Sequence, residues 1–338
     1  MIYEFAPMEG FTGYTFRRLH HKYFPGMDAY FTPFISPTKD NNFTPRQIRD
    51  LAPENNPPVR IVPQVMTRIP EHFVWAALEL TKYGCSEVNL NLGCPSGTVC
   101  SKGKGAGMLE DVEALDRFFY EVFRELEPYG IRIGIKTRLG LEDPEHFKKL
   151  IPVYLRYPFS EIIVHPRIRR DFYSAPVRME YFTEIYDQHC SQNSVPEADA
   201  SKIPGTSVKS ASAGILVYNG GLSTVESIRR LEDRFPNLKA VMLGQGMLKN
   251  PALVREAQGG PKLNKEELTA FMEELFEGSC EELGSAHNAL FRMKDHWKQA
   301  ALSFEENKKG LKRIMKAKNE SDYRAAVDAY LSDTMLLS

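Results

Sequence analysis

A chain of 338 residues, 42% hydrophobic and 26% charged, has room for one large domain plus a smaller one and the composition of a globular protein. Its formal net charge of −1 excludes a global pull toward polyanions, so any affinity for nucleic acid must come from local patches. No apolar run reaches membrane-spanning length, and Glu4 inside the first apolar run makes a poor signal peptide. Five scattered cysteines (Cys85, Cys94, Cys100, Cys190, Cys280) point to reduced thiols and a cytoplasmic address.

Short apolar, β-branched-rich runs then alternate with helical patterns. Strands are expected at 2–8, 29–36, 59–66, 86–92, 131–137, 160–165, 214–219 and 239–244. Eight such runs spaced by helices over residues 1–258 predict a closed (β/α)8 TIM barrel. The rival open doubly wound sheet lacks a GxGxxG after its first strand. Polar or small residues gather at the strand ends: Met8, Gln64, Asn91, Lys136, His165, Asn219 and Gly244. Barrel enzymes place their sites on that face.

The richest stretch is NLNLGCPSGT at 89–98, where a strand stops at Gly93 and Pro95, Ser96 and Gly97 bend the chain. This sets the Cys94 thiol at a strand end near the Asn91 amide: a proton donor beside a hydrogen-bonding group for a planar ligand. The turns Asn219-Gly220-Gly221 and Gly244-Gln245-Gly246 end the last two strands, where exposed N–H groups favour a phosphate. No HExxH motif or paired CxxC supports a metal site.

Residues 190–213, rich in Ser, Ala and Pro, show no apolar period and are expected to form a mobile insertion. From 262 to 338 the period is helical throughout and predicts a small all-α bundle. Asn264 and Glu267 read as an N-cap and its partner, and Leu268, Phe271, Met272, Leu275, Phe276 and Leu283 as one apolar face. Lys308, Lys312 and Lys316 stack four apart beside Lys309 and Arg313, a basic stripe on an amphipathic helix.

APMEGFT, NLNLGCP, IKTRLG, VHPR with RRDFY, NGG and LGQG follow one another in an order that resembles the tRNA-dihydrouridine synthases, and RMKDHWKQA resembles that family's helical-domain signature. The resemblance implies an FMN-dependent barrel with a C-terminal helical domain that helps hold tRNA. NADPH would reduce the flavin, which then reduces the C5–C6 bond of particular uridines to 5,6-dihydrouridine. Cys94 would be the acid that protonates C5. Pro7 and Met8 would pack on the flavin and Gln64 would bond its edge. Lys136 would stabilise the reduced ring, His165 would stand beside the flavin or the uracil carbonyls, and residues 219–221 and 244–246 would hold the phosphate. Asn91 would contact the target uracil or the flavin, Arg138, Arg167 and Arg169 near the same rim the RNA backbone or the base carbonyls, and Lys308, Lys312, Arg313 and Lys316 the tRNA. The protein would be a monomer.

Three positions depart from the family pattern. Gln245 replaces an Arg between two glycines, Pro166 replaces a Gly after the histidine, and the third residue of NGG is not acidic. Two alternatives accompany the tRNA reductase: an FMN barrel acting on a free pyrimidine or other small enone, and, suggested by Gln245 and Pro166, a non-catalytic tRNA-binding relative.

Overall fold

The computed structural model describes residues 1–193 and 214–337. Nine parallel strands form one sheet: β1 (Ile2–Phe5), β2 (Ala29–Phe31), β3 (Arg60–Val62), β4 (Gln64–Val65), β5 (Glu87–Leu92), β6 (Arg132–Arg138), β7 (Glu161–His165), β8 (Ile215–Asn219) and β9 (Ala240–Leu243). Their order is β3-β2-β1-β9-β8-β7-β6-β5-β4. β3 and β4 are consecutive pieces of one chain, so the sheet curls round on itself as an eight-stave barrel. Pro63 divides that stave because it has no N–H to give the ladder; its carbonyl still accepts the Asn89 N–H at 2.9 Å.

The barrel helices are α1 (Tyr14–Tyr23), α2 (Pro45–Leu51), α3 (Pro70–Leu80), α4 (Gly97–Cys100), α5 (Val112–Leu126), α6 (Phe147–Tyr154), α7 (Met179–Asn193), α8 (Val225–Arg234), α9 (Gln245–Lys249) and α10 (Leu253–Ala257). α5 shows why such segments fold. Asp111 accepts the Ala114 N–H at 2.9 Å as N-cap, and Leu115, Phe118, Phe119, Val122 and Leu126 recur at helical spacing on the buried face. Each such side chain contributes roughly 1.5–3 kcal/mol on burial. α7 runs through Asn193, so the expected insertion starts later than residue 190; its remainder, 194–213, lies outside the described residues.

Two apolar layers result. The larger lies between strands and helices, while a small cluster including Phe31, Val62, Ile163, Val217 and Met242 plugs the barrel interior. At the N-terminal ends of the strands the interior turns ionic. Arg60 reaches Glu4, Glu87 (3.3 Å) and Glu161 (3.4 Å), and Arg132 reaches Glu87 at 2.9 Å. Gly134 makes the room: a Cβ there would stand 2.7 Å from Glu161 Cγ. Burial, only partly offset by Arg60, pushes the Glu4 carboxyl up to about 7; burial, then Glu4 and Glu87, hold Glu161 well above the usual range.

The C-terminal region is α-helical as expected: α11 (Lys265–Leu283), α12 (Ala286–Ala300), α13 (Lys308–Lys316) and α14 (Glu320–Asp333). Asn264 caps α11 through the Glu267 N–H at 2.8 Å, but the Glu267 carboxylate is not its reciprocal partner. It takes the Arg255 fork at 2.6 and 2.8 Å, which ties α11 to α10. Phe271 packs edge-on against Phe16 and Phe24, and His296 stacks on Phe16. The helices thus seat on α1, beside the C-terminal face of the barrel. Among the described residues no helix is long and apolar enough to cross a membrane.

Candidate active site

Strand alternation explains why the expected polar residues meet. In β5, Asn89 and Asn91 share a face; in β6, Lys136 and Arg138; in β7, Ile163 and His165. The register sets Asn91 beside Lys136 and Arg138 beside His165, all at the C-terminal end of the barrel. Around them lies a cavity of about 280 Å³. It is lined by Pro7, Met8, Gln64, Asn91, Cys94, Lys136, Arg138, His165, Arg167, residues 219–221 and residues 244–246.

An amide chain fixes the Cys94 side of this cavity. Gln64 Nε2 donates to Asn89 Oδ1 at 2.8 Å, and Asn91 Nδ2 donates to Gln64 Oε1 at 2.7 Å. Asn91 Oδ1 then accepts the N–H groups of Gly93 (3.0 Å) and Cys94 (2.9 Å), holding the bend that presents the thiol. Burial raises the Cys94 pKa, with the Ser96 backbone opposing, so the thiol keeps its proton at neutral pH. Cys85 is buried with its pKa pushed up to about 11, and Cys100 Sγ lies 3.3 Å from the Cys94 carbonyl.

Lys136 makes no hydrogen bond or ion pair with any described residue. Burial, then the neighbouring Arg138, pushes its pKa down to about 7, with Cys94 opposing. An unpartnered cation in a closed site is suited to an anionic ligand. His165 is 4% exposed, and its Nε2 lies 2.7 Å from Arg167 Nη1. A guanidinium only donates, so Nε2 is the accepting nitrogen and the ring proton sits on Nδ1. Burial and the cations Arg138, Lys136 and Arg167 hold the His165 pKa well below its ordinary value, so the ring is neutral.

The far wall is backbone. Gly220 has φ +141° and packs on His165, whose Cδ2 would be 2.9 Å from a Cβ there. At Gly246 a Cβ would run into the Leu222 carbonyl and reach 2.9 Å from Ser223 Cα. The two glycine turns therefore form a close-packed cradle open to a ligand on one side. Gln245 is part of that lining, as the sequence order requires.

The arginines fall out differently from the expected rim. Arg138 is 2% exposed because it occupies an inward position of β6. Its guanidinium donates to the carbonyls of Gly93 (2.8 Å), Ile168 (3.2 Å) and Phe172 (2.8 Å). Arg169 does not line the cavity and pairs with Glu142 at 3.3 Å. Arg167 lines it, bonded to His165. Lys308, Lys312, Arg313 and Lys316 are exposed on α13, away from the cavity; Lys308 pairs with Glu306 at 2.8 Å and the other three make no ion pair with described residues.

Sequence reasoning passed over Glu9, Phe34 and Tyr173, which also line the cavity. Tyr173 is 48% exposed, stacks on His165 with centroids 6.2 Å apart and lies 5.3 Å from the Arg138 guanidinium. The signal was its place in RRDFY, directly after the His165 strand. Its neighbour Phe172 has φ +48°, uncommon for a bulky residue, at the point where Arg138 grips the loop. Among the described residues no group of His, Cys, Asp or Glu stands ready to hold a metal ion.

A parallel (β/α)8 barrel with a thiol, a lysine and a neutral histidine converging at its C-terminal face defines the class of protein. The particular family follows from comparison: residues 4–333 match the family described as Dihydrouridine synthase (Dus), and the chain belongs to it. It is 26% identical over 254 residues to a probable tRNA-dihydrouridine synthase of Staphylococcus aureus (strain COL), covering 73% of this chain and 68% of that one. It is also 26% identical to the tRNA-dihydrouridine(16) synthase of Pseudomonas putida (strain KT2440), covering 73% of this chain and 70% of that one. Among solved structures, a mutant morphinone reductase in complex with tetrahydroNAD aligns with a TM-score of 0.51 at 13% identity, covering 80% of this chain and 90% of that one; this speaks for the barrel fold alone.

Proposed function

We propose that this protein reduces specific uridines of tRNA to 5,6-dihydrouridine, with FMN as its cofactor and NADPH as the reductant. The observation that carries the reading is the meeting of Cys94, Lys136 and His165 in one cavity of a chain that belongs to the dihydrouridine synthase family.

The cavity fits the cofactor on its own chemistry. A partnerless Lys136 suits an electron-rich, anionic ring system, Met8 offers an apolar surface, and the glycine cradle suits a phosphate approached by backbone N–H groups. When bound, FMN supplies the hydride for C6 of the uracil. Lys136 would neutralise negative charge on the ring, while His165, as the Nδ1–H tautomer, holds a neutral donor nitrogen. Pro7 and Met8 would pack on the ring plane, Gln64 would contact its edge, and residues 219–221 and 244–246 would hold the phosphate.

Cys94 would deliver the second hydrogen. Its raised pKa keeps the proton on Sγ until C5 becomes basic, after which Arg138 and Lys136 offset the thiolate charge. Asn91 serves by fixing the Cys94 bend and contacting the uracil; Arg138 serves from inside through the Gly93 carbonyl, with Arg167 beside His165. In this reading residues 1–258 carry the chemistry and residues 262–338 grip the tRNA through Lys308, Lys312, Arg313 and Lys316, whereas Arg169 has no direct role. The uridine, buried within a folded tRNA, must be extruded to reach the cavity. The protein would act as a cytoplasmic monomer.

The test is dihydrouridine mapped by position in tRNA from cells with and without this gene. Loss at one or a few positions supports the reading and names the target. An unchanged map in a strain without a redundant relative removes it.

A further inference from the structure

A second cavity, of about 400 Å³, opens between the loops after β1 and β2, helix α2 and the α11–α12 corner. Glu9 and Phe34 line both this cleft and the Cys94 cavity, so the two adjoin across a shared wall. Most of its charge is already spent. Asp50 accepts the Tyr14 N–H (2.7 Å) and Arg17 Nη1 (3.2 Å). Glu282 accepts the Arg292 fork (2.7 and 2.8 Å) and Thr15 Oγ1 (2.7 Å). Two cations remain. Arg46 and Arg49 are exposed, stand one turn apart on the same face of α2, and make no side-chain hydrogen bond or ion pair with described residues. The Thr44–Gln47 capping box holds the start of this short helix in place.

These features describe a path rather than a closed pocket. Asp50 and Glu282 are neutralised from behind, Arg46 stands across from Glu9, whose carboxyl burial pushes up and which makes no ion pair with described residues, Tyr14 and Phe34 offer aromatic surface, and one end adjoins the cavity of the thiol. We propose that this cleft carries the phosphodiester backbone of the RNA strand flanking the nucleotide delivered to Cys94, with Arg46 and Arg49 as its phosphate contacts. The inference rests on the reading above that tRNA is the substrate. The two exposed arginines suit a polyanion, and the wall shared with the Cys94 cavity selects the strand that bears the reacting base. The basic stripe of α13 is then a second, separate grip on the same RNA.

The experiment uses the FMN-loaded full chain and an unmodified tRNA transcript, with dihydrouridine formation and binding measured at several salt concentrations. In the double variant R46Q/R49Q, KM and Kd should rise about tenfold while kcat changes less than about twofold. The slope of log Kd against log salt should shrink by about 1.4, at roughly 0.7 per lost single-strand phosphate contact. R46K/R49K should restore most of the slope, since a point charge suffices for a phosphate. Arg117→Gln, an exposed cation paired with Glu113 at 3.9 Å on α5, should behave as wild type. Wild-type affinity and slope in the glutamine pair, with the wild-type chain active on tRNA, would overturn the cleft assignment and leave the substrate reading intact. A wild-type chain that binds and reduces no tRNA removes both.

Discussion

At the scale of single residues, the site combines groups whose protonation is set by neighbours rather than by their own chemistry. Cys94 keeps its proton because it is half-buried, and His165 stays neutral because burial and three cations oppose a further charge. Cys94→Ala should retain flavin, since the thiol is not part of the cradle, but lose dihydrouridine formation by about 10²-fold or more. Turnover near wild type, measured on tRNA transcript, removes Cys94 as the acid. Lys136 makes a different prediction. Its pKa near 7 should rise when an anionic ligand neutralises its isolation, so binding takes up a proton above about pH 7 and not well below it. FMN affinity should therefore weaken as pH rises above 7. Calorimetry in buffers of different ionisation heat should count up to one proton in wild type and none in Lys136→Met.

At the scale of elements, the turn after β9 and the helix α13 should be separable by mutation. Gly246→Ala places a methyl against the Leu222 carbonyl, and the backbone must move to accept it. Overpacking of this kind costs roughly 1–3 kcal/mol, so thermal unfolding should come earlier and flavin retention should fall with it. Loss of stability with undiminished flavin binding would show that the turn is structural only. On α13, neutralising Lys308, Lys312 and Lys316 together should weaken tRNA binding and flatten its salt dependence, while leaving flavin absorbance intact. Affinity unchanged at every salt concentration would reduce the stripe to a solvated face. The third stave shows an element legible in position yet incomplete in form. Its apolar run is visible in the sequence, but its division at Pro63 depends on which neighbour needs an N–H there.

For the molecule as a whole, the ionic plug at the strand N-terminal ends sets a pH dependence. Glu4 and Glu161 have raised folded-state values, so the folded chain holds protons that the unfolded chain releases. Their contribution is present in acid and is lost as pH rises from the ordinary 4.5 through about 7. Glu161→Gln keeps an acceptor for Arg60 and removes one of the three crowded carboxylates. Its Tm should exceed wild type at pH 8 by about 1–2 °C for each kcal/mol gained, and the difference should vanish near pH 4. A lower Tm at pH 8 would mean that all three charges are needed around Arg60.

The division between sequence and structure follows range. Eight strand runs, the helical C-terminal region, and the Cys94, Lys136 and His165 positions were legible because strand period, turn residues and capping act over a few neighbours. Asn91, Lys136 and His165 even fell on inward positions by alternation alone. The burial of Arg138, the turning away of Arg169, the capture of Glu267 by Arg255, the ion cluster around Arg60 and the Arg46–Arg49 cleft were not legible. Each depends on partners brought together by barrel closure or helix docking. Glu4 and Glu161 lie far apart in the chain, and the shared Arg60 together with their own contact makes them one buried group. Local patterning is enough to say which residues stand at the working end of the barrel. Which of them are free to meet a ligand is a property of the closed fold, because a charge is committed or available only once its neighbours across the fold are in place.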